Sequence, residues 1–140
     1  MPQPAAAGND RLASARAFAA RIVRLIGAND YADAWTYLHP LHQQAAPRDR
    51  YVECENQTPI PGAITRIKIV RTWDAPVHVA GLGTPVAGTK VTLRLVITDA
   101  SIPAQVTVTK TVGLIQVSRR WVWMLPADRY AAYVAGECPR

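Results

Sequence analysis

An α+β fold, with helices packed on a strongly bent antiparallel sheet, is what this sequence predicts. Three observations carry that reading. Apolar residues recur with a helical period through the first 55 or so positions. After Gly62 the pattern changes to alternation, as in "ITRIKIVRTW", and stays so for three long runs. Helices first and a meander of strands afterwards leave the helices to cover one face of the sheet.

The elements follow in order. The opening "MPQPAAAGND" lacks the apolar core of a signal peptide, and residues 1–9 read as a flexible leader. Residues 10–140 are expected to form a single domain. From Asn9 or Asp10 as N-cap, "RLASARAFAARIVRLI" places Leu12, Ala15, Ala19, Ile22, Val23 and Ile26 near one side, and Gly27 is expected to stop it. A second, short helix begins at Asp30 in "DYADAWTYLH", with Asp33 in its first turn and Pro40 just past its end. Pro47 opens a third, "PRDRYVECEN", in which Tyr51 and Cys54 or Glu55 share a side.

Beyond the loop "QTPIPGA" come strands. Ile67 and Ile69 oppose Arg66 and Lys68, "PVHVAG" is a short extended piece, and "KVTLRLVITD" lines up Val91, Leu93, Leu95 and Ile97. "QVTVTKTVGLIQV" alternates threonine with valine, Gly113 suggests a bulge, and "SRR" turns into "WVWML". "PADRYAAYVAG" closes the chain as a helix between Pro126 and Gly136.

Composition sets limits on function. A chain of 140 residues, 49% hydrophobic, suits one domain that buries roughly two-thirds of its unfolded surface. Sixteen basic residues, thirteen of them arginine, against ten acidic ones give a net charge of +6. Arg66, Lys68, Arg94, Arg119 and Arg120 could form a stripe on the sheet's outer face, which a nucleic-acid reader would interleave with exposed aromatics, but no nucleic-acid signature accompanies them. A solvated strand face explains them, and no nucleic acid is expected as a partner. No apolar run approaches the ~20 residues of a membrane span.

The order of helices, the stretch "NDYADAWTYLHP" and the terminal "RRWVWML" resemble the cone-shaped nuclear transport factor 2-like superfamily, which includes ketosteroid isomerases, polyketide cyclases and many noncatalytic domains. The resemblance spans nearly the whole chain from Asp10 onward. It implies a pocket between sheet and helices and, often, a homodimer through the sheet's outer face, where Val70, Val96 and Val122 mix with arginines. Function on such a fold must be argued from the site.

The chemistry of a proton-transfer enzyme needs a carboxylate in an apolar pocket facing a tyrosine or a neutral acid. Asp10, Asp30, Asp33, Asp49, Glu53, Glu55, Asp74, Asp99, Asp128 and Glu137 all read as caps, turns or wet helix sides, so no catalytic residue is assigned. His39 and His42 are split by Pro40 and fit a helix end where His and Gln satisfy the last carbonyls, and His78 reads as a strand residue. No metal and no cofactor are expected. Trp35, Trp73, Trp121 and Trp123 could line a cavity for an apolar ligand, with the register deciding which of Trp121 and Trp123 points inward. Lys110 shares the parity of Val106, Val108 and Val112 and could point into the pocket, or snorkel at the edge. The ligand-binding candidates are therefore Trp35, Trp73, Lys110 and Trp123.

Cys54 ends the third helix and Cys138 follows the last one, so a bond between them would tie the C-terminal tail to the helical layer. The even count favours that disulfide over two buried thiols. A disulfide implies a secreted or cell-envelope location. The expected function is a noncatalytic binding or protein-interaction module with an apolar small molecule or a protein as partner, and the alternative is an isomerase or cyclase-type enzyme using the same pocket.

Overall fold

The computed structural model describes residues 4–140. Among them five helices and a four-stranded antiparallel sheet of order β1-β2-β3-β4 make an α+β domain. The helices are α1 (Pro4–Gly27), α2 (Tyr31–Thr36), α3 (Pro40–Ala45), α4 (Arg48–Glu55) and α5 (Ala127–Val134). The strands are β1 (Ala63–Val77), β2 (Val86–Asp99), β3 (Ile102–Val117) and β4 (Arg120–Val122).

Helix α1 is longer at both ends than its apolar period suggests. It starts at Pro4, so residues 4–9 of the expected leader are helical, while residues 1–3 lie outside the described residues. Proline suits a first helical position and three alanines follow it, which is enough to carry the helix back past Asn9 and Asp10. At the other end Gly27 is still helical. The terminator is Asn29 at φ 59°, with Asn29 N–H bonded to Ile26 O (3.0 Å) and Asp30 N–H to Leu25 O (2.8 Å), a Schellman arrangement. Asn29 then does a second job, because its side chain accepts from Ile60 N–H (2.8 Å) and donates to Ile60 O (3.1 Å). The loop before β1 is thereby held against the end of α1.

Proline at position 40 begins a helix as well as ending one. His39 caps α3, its Nδ1 accepting from Leu41 N–H (3.0 Å), and Gln43 reaches back to donate to Trp35 O (2.9 Å) at the end of α2. Helix α2 stops at Thr36 because the chain turns to make a bridge with the last strand's extension: His39 N–H donates to Trp123 O (2.8 Å) and Trp123 N–H to Tyr37 O (3.1 Å).

The sheet's inner face is set by β2, where Val91, Leu93 and Leu95 are buried against Ala15, Ala19, Ile22 and Val23 of α1. Register puts Ile67 beside Leu95 and Ile69 beside Leu93, and a register shift follows between Ile69 and Arg71. That shift reverses the alternation. Thr72 and Asp74 come inward and Trp73 goes out, where the Arg71 guanidinium lies over its ring at 4.1 Å. Asp74 is then matched by Arg11 of α1 and by Thr89 Oγ1 (3.0 Å).

No register shift occurs at Gly113. The expected bulge is absent there, and glycine serves close approach instead: a Cβ would lie 2.9 Å from Val77 Cγ1. Val77 belongs to a second, smaller core with Val79, Ile115 and Val122. On the outer face Lys68 stands opposite Arg94 and Arg66 opposite Val96. Val122, expected on that outer face, is buried in the smaller core, while Val70 is 46% exposed.

Candidate functional site

A cavity of ≈ 330 Å³ lies between α1 and the inner face of the sheet. Helix α1 contributes Ile22, Val23 and Ile26 to it, and the loop that Asn29 tethers contributes Ile60 and Gly62. The sheet supplies Leu95, Ile97, Lys110, Val112 and Leu114. The far wall is the segment from Trp123 to Pro126. Its existence follows from the topology: β4 pairs with β3 only from Ile115↔Val122 to Val117↔Arg120, after which Trp123 crosses to bridge Leu38. The two chains separate, and the wedge between them is the cavity.

That wall is fastened by a histidine. His42 is fully buried, its Nδ1 accepts from Leu125 N–H (2.9 Å) and its Nε2 donates to Ala80 O (2.9 Å), with the Tyr130 ring 4.6 Å away. Because Leu125 N–H can only donate, the ring must be the neutral tautomer protonated at Nε2. Burial holds the His42 pKa below its ordinary value, and burial does the same for His39. A folded pKa below the unfolded value of about 6.5 means that the unfolded chain takes up the proton first. Stability should therefore be full above about pH 7 and fall as the pH drops through about 6.5 towards 5, by up to ~1.4 kcal/mol per pH unit for each histidine concerned. Urea unfolding across this range checks it, and an identical slope in His42→Leu would remove His42 from the account.

Of the four ligand-binding candidates, Lys110 and Trp123 line the cavity and Trp35 and Trp73 do not. Trp35 donates its indole N–H to Ala46 O (2.7 Å) and Trp73 is on the outer face, turned there by the β1 register shift. Trp121 and Trp123 both face the helices, since residues two apart on an extended chain share a side. Trp121 bonds Ser14 Oγ (2.8 Å) and Trp123 bonds Ala34 O (2.6 Å). Ile67, Ile69 and Leu93, though inward, do not line the cavity.

The acids need one correction. Glu55 is not on a wet helix side: it is 8% exposed, paired with Arg129, and accepts from Tyr133 Oη (2.7 Å). Burial first, and the Glu55 carboxylate second, raise the pKa of Tyr133 and of neighbouring Tyr51 above the ordinary phenol range. The signal for this was present in the spacing, because Glu55 follows Tyr51 by one helical turn and adjoins Cys54. Helix α5 covers that side. The cluster lies outside the cavity lining, which holds no Asp or Glu.

Cys54 and Cys138 form a disulfide, with Cα atoms 5.2 Å apart. Gly136, at φ 81°, ends α5 in a second Schellman turn, with Glu137 N–H on Ala132 O (2.9 Å), and swings the tail back towards α4. No helix among the described residues is long and apolar enough to cross a membrane. Comparison with protein-family profiles and with curated proteins finds no match to this chain.

Proposed function

We propose that this chain is a noncatalytic binding module of nuclear transport factor 2-like type that works in the secreted or envelope compartment and holds an apolar small molecule between α1 and the sheet. The cavity carries the reading: it is pre-formed, walled mainly by aliphatic side chains, and has few polar groups, the usual make-up of a small-molecule site. A proton-transfer enzyme would need a base inside that space, whereas the buried acid Glu55 is elsewhere and bound to Arg129. The disulfide supports the compartment, since such bonds persist in oxidising surroundings. On the outer sheet face Lys68 stands beside Arg94 and Val122 is buried, which counts against a homodimer through that face; sedimentation equilibrium decides it.

An apolar fluorescent dye should bind in a one-to-one ratio and quench or shift the emission of Trp123. Filling the space with Val112→Trp should weaken that binding at least about tenfold, the loss of ~1.4 kcal/mol of burial. Dye affinity unchanged by Val112→Trp would show that the cavity is not the site. Turnover of enolisable ketones above background would favour the enzyme.

A further inference from the structure

We infer that the molecule held in the cavity is a single-chain amphiphile with an anionic head, a long-chain carboxylate in the simplest case, its tail between α1 and the sheet and its head on Lys110. The inference rests on the binding reading above and deepens it. Three observations lead to it.

The first is a charge without a partner. Lys110 stands on the inner face, opposite Leu93 in the register, in a row otherwise made of Val106, Val108 and Val112. Charged groups elsewhere in the fold are matched: Asp74 of β1 by Arg11 of α1, and Glu55 of α4 by Arg129 of α5. Among the described residues Lys110 makes no ion pair, and no carboxylate lines the cavity with it. A lone cation beside an aliphatic space selects for an anion attached to an apolar body.

The second is where that charge sits. Since β4 leaves β3 at Ile115↔Val122, the edge of β3 from Leu114 back towards its start has no strand beside it among the described residues. Lys110 is exposed on this edge, so a head group there would keep contact with water while the tail did not. The third is the apolar surface that continues past the opening. Val106 and Val108 are 44% and 38% exposed although they face inward, and their register partners are Ile97 and Leu95, both lining residues. A flexible alkyl chain entering beside Lys110 covers them, whereas a compact ring system confined to the cavity leaves them in water.

The test compares chains of equal length that differ only in the head: dodecanoate, dodecanol and dodecyltrimethylammonium, each below its micelle concentration, at pH 7.5 and low salt, read by displacement of the bound dye. The carboxylate should bind about tenfold more tightly than the alcohol, a modest return for one charge-assisted contact at a partly wet site. Lys110→Ala should erase that difference, bringing the carboxylate's affinity down to the alcohol's, and Lys110→Glu should reverse the preference towards the ammonium. Equal affinity for carboxylate and alcohol in the unaltered protein, or a preference that survives Lys110→Ala, overturns the head-group assignment while leaving the apolar cavity in place. Failure of all three chains, and of the dye, overturns the cavity reading itself.

Discussion

Reducing the Cys54–Cys138 bond should lower the free energy of unfolding by on the order of 4 kcal/mol and the Tm by roughly 10–15 °C. The two cysteines are 84 residues apart, so the bond closes a loop holding the entire sheet and α5. In the chain-entropy account the cross-link acts on the unfolded state, and a loop of this length gives about 4–5 kcal/mol before native-state strain and residual structure subtract from it. The folded state loses something as well. The tail after Gly136 is held to α4 by this bond, and α5 otherwise reaches α4 through Arg129 and Tyr133 on Glu55 and through the Tyr133 ring beside Tyr51. Hydrogen exchange should therefore quicken first in Ala127–Cys138 of the reduced protein, before the β2–β3 ladder is affected. A loss under about 1 kcal/mol, in reduced protein and in the Cys54→Ser/Cys138→Ser variant alike, would show that the tail is held by packing alone.

The elements that could be read from the sequence are those whose signal is local. Alternation in β2 and β3, the helical period of α1, and proline and glycine at the two ends of α5 depend on neighbours in the chain. The disulfide was legible because both cysteines fall at helix ends. What failed was parity and partnership. One residue of register shift near Val70 turns Trp73 away from the helices, and nothing in "IVRTWD" announces it. Pro40 reads as the stop of the second helix, and that it also opens α3 depends on the turn made at the Leu38–Trp123 bridge. Glu55 is decided by residues 74 and 78 positions away. Its own helix carries four other charged residues, so by sequence alone that side reads as wet. Of the ligand-binding candidates read from the sequence only Lys110 and Trp123 reach the cavity, because its walls are set by where β4 leaves β3, a tertiary event.

Glu55→Ala should cost about 3 kcal/mol, measured by urea unfolding at neutral pH. The carboxylate's side chain is 10% exposed and that of Arg129 26%, so the pair is desolvated on one side and can reach water on the other. Removing one partner from a buried pair costs roughly 3–5 kcal/mol, because the remaining charge keeps its desolvation without its compensation, and the partial exposure of Arg129 places this case at the low end. Tyr133, 2% exposed, loses its acceptor at the same time. Glu55→Gln should cost less, about 1–2 kcal/mol, since the amide oxygen still accepts from Tyr133 while the ionic part is gone. Replacing the whole group, as Glu55→Leu/Arg129→Met/Tyr133→Phe, should bring stability back to within ~1 kcal/mol of the unaltered protein, as buried ion pairs exchanged for packed apolar groups tend to do. Dye affinity should be the same in all of these variants, because the cluster and the cavity share no lining residue. If Glu55→Gln folds normally and alone abolishes binding or turnover, the carboxylate belongs to the site and the cluster and the cavity are not separate.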